Sequence, residues 1–470
     1  MNNFLCRYTI SRYFYESLRE TYPLAFTEDI GLALHEMFTT WRDNSDNAVV
    51  PYETLAQIYD KEQQAKRKNF KAKQALQRFA EAVEPFEEFG YDRRTGVARR
   101  IKIIWPEKIQ QLLADELDRK FEWSGRVFYD GTPFTEEQQE KNLNRKRREA
   151  LKTLSEADNI LTKKTLNYFN KIPNTLFIGT LKHYDQAFEL ANTLSNSLEI
   201  RRVLRQIYDE PKPFIKAVKN STRAYPIGEN LVTVKSEIRH ILTQDWIEAD
   251  LKNCQLAIAA HKWKVESVQE FLSTGQSFWP YLAEWVGVEL TQSNKDMLKR
   301  ATYAVLYGAS NRGNRNKIRE ALWYLGKAKY KRLMESPLIQ ALYKAAKSQL
   351  KEIEKKGGAQ TYLGNWISLD DVEVSADWKD PKKSLLAQVN QSYEAMLLYP
   401  ALELAIRHQK DEDGFYLSLY QYDGISIMAK QPEKIEYWAT KVKEAVDENA
   451  KWCGINTTLE FVQPTKPKNL

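Results

Sequence analysis

Two acidic residues set among apolar strands, more than 150 residues apart, constrain this chain more than any other feature. The first, Asp250, ends Gln244-Asp-Trp-Ile-Glu-Ala-Asp250 and leads into Leu251-Lys-Asn-Cys-Gln-Leu-Ala-Ile-Ala-Ala-His261. That pattern reads as a buried strand running straight into a helix. The second, Asp423, stands at the turn of Phe415-Tyr-Leu-Ser-Leu-Tyr-Gln-Tyr-Asp-Gly-Ile-Ser-Ile-Met428, a predicted hairpin of apolar strands. Taken singly, either acid is explained as a cap or turn residue. Together, on rigid strands, they form what two-metal phosphoryl transfer needs, because Mg²⁺ takes carboxylate oxygens from the protein and fills its shell with phosphate and water.

Between the acids lies Lys295-Asp-Met-Leu-Lys-Arg-Ala-Thr-Tyr-Ala-Val-Leu-Tyr-Gly308. Its Lys295, Lys299, Tyr303 and Tyr307 recur every four residues and so share one helix face. A solvated lysine face beside a buried aromatic stripe would give the same spacing.

In this order, the three segments resemble motifs A, B and C of the family A DNA polymerases. In motif A, Asp250, Leu256, Ala260 and His261 fall in register, with Gln255 where the family carries Glu. In motif B, Lys299, Tyr303 and Tyr307-Gly308 match at every spacing. Motif C, His-Asp-Glu in the family, is Tyr422-Asp423-Gly424 here. Thr222-Arg223, followed by Ile238-Arg239, is similar to the primer-contacting approach to the palm. Lys383 and Gln391 are similar to an Arg/Gln pair that lies against the primer-template minor groove. The likeness covers residues 220–430, about half the chain.

The resemblance implies an α+β, right-hand polymerase with an antiparallel palm sheet, fingers and thumb. It implies two Mg²⁺ ions, with Mn²⁺ as the alternative, held by Asp250, Asp423 and the Leu251 backbone carbonyl. Asp250, Asp423 and Lys299 would be the catalytic set. Lys299 is expected over the incoming triphosphate. Lys295 takes the place of a family Arg and offers a point charge without the bidentate fork. Tyr303 is expected beside the sugar 3′ carbon, and Tyr307 near the templating base, where it closes the pocket under the sugar with Gln255. Primer-template contacts would come from Arg223, Lys383, Gln391 and Tyr422.

Two departures bear on the substrate. Gln255 keeps the bulk of Glu but can donate as well as accept, so a steric gate is kept while sugar discrimination is left open. Gly424 replaces the motif C acid, which single-subunit RNA polymerases of phage and mitochondrial type also lack. Thr222-Arg-Ala-Tyr-Pro226 is similar to their Gly-Arg-x-Tyr-Pro stretch. The expected activity is template-directed addition of dNTPs to a 3′-hydroxyl on a DNA primer-template, with RNA as template or primer also open. No acidic-motif pattern of a proofreading exonuclease is found upstream, and a plasmid- or phage-type replication role fits so small a fusion. Two alternatives stay open: a primase or RNA polymerase using NTPs, and a non-catalytic DNA-binding initiator. Retention of Asp250, Asp423 and Lys299 together argues against the last, since a scaffold needs none of them.

With 470 residues the chain can hold two or three domains. Its net charge of +7 and its 12 Trp, 25 Tyr and 19 Phe suit a polyanion partner read partly by stacking. Cys6, Cys254 and Cys453 lack disulfide or metal spacing, and no apolar run reaches membrane-spanning length. A cytoplasmic location without a membrane partner is expected; no motif specifies replication partners. Residues 1–125 read as a winged helix-turn-helix, with helices at 29–40, from Pro51, and at 66–79, then a basic hairpin at 86–105. A solvated basic helix beside an ordinary hairpin would look alike. Residues 126–220 are expected as a helical linker and thumb-like region, 221–290 as palm, 291–364 as fingers and 365–470 as palm.

Overall fold

The computed structural model describes residues 9–21, 47–51, 86–89, 100–104, 126–128, 133, 135–155, 157, 159–194, 197–219, 221–307, 326, 328–372 and 380–462. The chain is a mixed α+β protein that divides into two units. One comprises Met1–Arg148, Pro173–Pro213 and Gly228–Thr243, the other Glu149–Ile172, Phe214–Ile227 and Gln244–Leu470.

In the first unit, strands Asn47–Pro51, Arg100–Ile104 and Phe86–Phe89 form one antiparallel sheet in that order. The two arms of the expected basic hairpin pair with Phe86 opposite Ile103. The three helices expected before them and the turn at 92–96 lie outside the described residues. The unit also holds the helices Tyr184–Thr193, Ser197–Asp209 and Ser236–Leu242.

The second unit is built on a four-stranded antiparallel sheet. Its strands are β1 (Ile247–Leu251), β2 (Phe415–Tyr420), β3 (Gly424–Ala429) and β4 (Leu459–Phe461), in spatial order β2-β3-β1-β4. Nearly every residue of β2 and β3 is buried, which requires cover on both faces. Helices supply that cover: α1 (Ile160–Lys171), α5 (Pro381–His408) and α6 (Ile435–Trp452) pack on these strands. The unit also holds α2 (Cys254–Lys262), which packs on α5, and the paired helices α3 (Phe278–Val286) and α4 (Gln292–Leu306). Helix α2 is buried from Cys254 through Ala260, and the small side chains of Ala257, Ala259 and Ala260 let it sit in the core.

The expected thumb-like stretch 126–220 is divided. Helix α1 belongs with the sheet because it buries Leu161, Leu166, Tyr168 and Phe169 there. The Leu417 N–H of β2 donates to the Tyr168 hydroxyl at 2.9 Å. The Asn170 amide donates to the Ile215 carbonyl at 2.9 Å and accepts from the Ile215 N–H at 3.0 Å, tying α1 to strand Ile215–Lys216. Conversely, Gly228–Thr243, expected within the palm, clusters with the first unit. Among the described residues no helix is long and apolar enough to cross a membrane.

Candidate active site

Asp250 is the penultimate residue of β1, and its residue partner across the sheet is Gly424, the first residue of β3. Asp423 precedes that glycine on the β2–β3 turn. The Leu251 N–H donates to the Asp423 carbonyl at 3.0 Å, so the two acid-bearing segments are joined through the main chain. A Cβ at Gly424 would stand 3.1 Å from the Ala249 carbonyl oxygen and 3.3 Å from Asp250 Oδ1. Glycine is what this close approach accepts.

Two bulky or polar residues adopt left-handed backbone beside the acids. Asn253, at φ 51°, turns β1 into α2, and Tyr422, at φ 71°, directly precedes Asp423. For a tyrosine this conformation is costly and must be held from outside. The Arg223 guanidinium lies 4.7 Å from the Tyr422 ring centroid, and the rings of Tyr225 and Tyr420 lie at 5.7 and 6.2 Å.

The acids are enclosed without being sealed. Asp250 is exposed along one side and Asp423 is half-buried. The protein around Asp250 still displaces enough water to push its carboxyl up to about 8; the charge of Asp423 adds to the rise and that of Lys299 opposes it. Asp423 is raised as well, chiefly by burial, with Arg223 and Lys299 pulling the other way.

Lys299 comes from α4, whose first turn is capped by the Thr291 hydroxyl accepting from the Asn294 N–H at 3.2 Å. Its Nζ lies 5.8 Å from the Trp279 ring centroid, and Tyr303 meets the same indole edge-on at 6.1 Å. Trp279, on α3, therefore holds both residues of the stripe. Burial pushes the Tyr303 hydroxyl far above its ordinary value, which keeps it a neutral donor.

A chain of polar contacts closes the other side. Arg223 forks onto Glu394 of α5, with Nε donating to Oε2 at 2.7 Å and Nη2 to Oε1 at 2.8 Å. The Gln255 amide nitrogen also donates to Glu394 Oε1. The Tyr307 hydroxyl in turn donates to Gln255 Oε1 at 2.5 Å. Glu394 is 0% exposed, and burial pushes it up to about 7 against the pull of Arg223.

Asp250, Asp423, Lys299, Tyr303, Tyr307, Gln255, Arg223 and Tyr422 are thus linked by bonds, ring contacts or charge. Lys295, Lys383 and Gln391 are part-exposed and, among the described contacts, stand outside that network. The fork of Arg223, expected on primer-template, is engaged by Glu394, because a carboxylate so enclosed needs a cation. The spacing of residues passed over two members. Glu394 had a signal, as the lone acid in the largely apolar run Leu385–Leu398. Trp279 had none beyond an aromatic cluster.

Among the described residues no group of three or more His, Cys, Asp and Glu is arranged to hold a metal. Two carboxylates held side by side by the Gly424–Asp250 pairing and the Leu251–Asp423 main-chain bond nevertheless fit a hard divalent ion that draws its other ligands from phosphate and water, as opposed to an all-protein cage.

No family model matches the chain, and no curated protein matches it. Among solved structures it is similar to the POL domain of Pol1 from M. smegmatis in complex with DNA primer-template and dNTP. That similarity has a TM-score of 0.44 and 13% identity, over 92% of this chain and 80% of the other.

Proposed function

We propose that this chain is a template-directed nucleotidyltransferase that extends a nucleic-acid 3′ end, with dNTPs and a DNA primer-template as its preferred substrates. One observation carries the reading: Asp250 on β1 and Asp423 on the β2–β3 turn are held together through the Gly424–Asp250 pairing and the Leu251 N–H to Asp423 carbonyl bond, and both share the field of Lys299. Asp250, Asp423 and the Leu251 carbonyl would hold two Mg²⁺ ions, or Mn²⁺. Bound there, such ions activate a 3′-hydroxyl and offset charge on the leaving pyrophosphate.

The side chains supply the rest. Lys299, steadied on Trp279, balances negative charge that grows as the triphosphate breaks. Lys295 adds charge one turn away. Tyr303 presents a protonated hydroxyl beside the sugar, and Tyr307, tied to Gln255, forms the wall beneath it. Residues 1–125 as a DNA-recognition unit, a replication role for a small element, and a cytoplasmic location complete the proposal.

The test is extension of labelled primers on DNA and RNA templates, with dNTPs and NTPs offered separately and an unprimed template alongside. Mg²⁺-dependent primer extension with dNTPs is expected. Synthesis on the unprimed template with NTPs would make it a primase or RNA polymerase. Duplex binding without incorporation under any condition would make it an initiator.

A further inference from the structure

Among the described residues Glu394 is the one acidic side chain shut off from solvent altogether. Enclosing a carboxylate costs several kcal/mol unless donors converge on it. Here they do: two from Arg223 and one from Gln255. With the Arg223 guanidinium forked onto both its oxygens, Glu394 offers Gln255 acceptors, and the Gln255 amide nitrogen turns toward it. The Gln255 carbonyl must then face the other way, where it accepts from the Tyr307 hydroxyl. Glu394 therefore decides which way Gln255 lies and where the Tyr307 proton points. On its far side the same carboxylate holds Arg223 over Tyr422, the neighbour of Asp423. One chain of contacts joins the acid turn to the end of the helix that carries Lys299 and Tyr303.

We propose that Glu394 is a positioning residue that sets sugar specificity: by orienting Gln255 it fixes Tyr307 as a rigid wall against the sugar of the incoming nucleotide. The inference rests on the nucleotidyltransferase reading above. It moves the determinant of dNTP over NTP choice from Gln255 alone to the Gln255–Glu394 pair, and so gives the pair one negative charge to share. A purely structural ion pair would leave sugar choice untouched.

The experiment is a two-residue charge swap, read by KM and kcat for dNTPs and NTPs on a primed template. Glu394→Gln removes the acceptor that orients Gln255, and Gln255→Glu sets two carboxylates against one guanidinium. Each single variant should lower dNTP/NTP discrimination by about 10-fold, the scale of one lost charge-assisted hydrogen bond, mostly through a higher KM for dNTPs. The double variant Gln255→Glu/Glu394→Gln restores one carboxylate and one amide, and should recover discrimination to within about threefold of the wild type. Tyr307→Phe, which leaves the Arg223–Glu394 pair whole, should match the single variants even if Glu394→Gln fails to fold. Unchanged discrimination in Gln255→Glu and Tyr307→Phe, or no recovery in a folded double variant, would overturn the inference while leaving the polymerase reading intact. A wild-type chain that incorporates nothing would overturn both.

Discussion

Gly424 faces Asp250 across the sheet so closely that a Cβ at 424 would stand 3.3 Å from the Asp250 carboxylate. The position where the resembled family carries its third acid is therefore one that, here, has little room for a side chain. Gly424→Ala should displace Asp250 by a few tenths of an ångström. Overpacking of this kind costs about 1–3 kcal/mol, and incorporation should fall by about 10-fold or more with a raised Mg²⁺ requirement. Gly424→Glu should fall further, because it adds negative charge beside two acids that already repel. Steady-state rates across a Mg²⁺ titration measure both effects; a Gly424→Glu variant that outperforms the wild type would refute this account.

Asp250→Asn or Asp423→Asn should abolish incorporation and leave duplex binding largely intact, since affinity for nucleic acid comes mainly from phosphate contacts elsewhere. Either change also removes the repulsion between the two carboxylates. The variants should therefore melt at the same or a higher temperature than the wild type in chelator, and gain less from added Mg²⁺. Melting curves with and without Mg²⁺ check this, and equal Mg²⁺ stabilisation of all three proteins would separate the ion from the acids.

Lys299→Ala should cut kcat by roughly two to three orders of magnitude, the loss of about 3–4 kcal/mol that accompanies removal of a preorganised electrostatic donor. Trp279→Leu removes the ring on which Lys299 and Tyr303 rest while leaving the charge in place. A smaller loss is expected there, divided between KM and kcat. Single-turnover rates at saturating dNTP distinguish the two, and a Trp279→Leu enzyme with wild-type constants would show that the indole only fills the core.

Lys212 and Lys262 are both held down to about 8 by burial, with the charge of Arg147 adding at Lys212 and Glu352 opposing at Lys262. Between pH 8 and the ordinary lysine range the unfolded chain binds more protons than the folded one, so these residues favour folding more strongly as pH rises through that window. Cys254 and the buried tyrosines, held above their ordinary values, act the other way as the pH climbs past 9. Lys262→Met should raise the melting temperature at pH 7.5 and bring it closer to that at pH 9. A lower melting temperature at pH 7.5 would mean that the Lys262 charge is stabilising, through its 5.2 Å approach to the Tyr393 ring.

What the sequence by itself determined is local. Alternating apolar residues around Leu417 and Ile425, with Asp-Gly between them, dictate a hairpin with an acid at its turn. The four-residue spacing of Lys295, Lys299, Tyr303 and Tyr307 dictates one helix face. The run from Asp250 into Ala-rich α2 dictates a strand that ends in a buried helix. Each follows from bonds and side-chain periods within a dozen residues. Tertiary structure alone decided what those elements face. It set β1 between β3 and β4, gave α1 to the sheet, and brought Glu394 to Arg223, 171 residues away in sequence. That meeting changes the meaning of Gln255: beside Glu394 a glutamate would add a second charge, whereas an amide completes the chain to Tyr307. A carboxylate is read from its own residue. Whether it is solvated, paired or shared depends on which groups packing brings within about 3 Å of it, and periodicity carries no record of that distance.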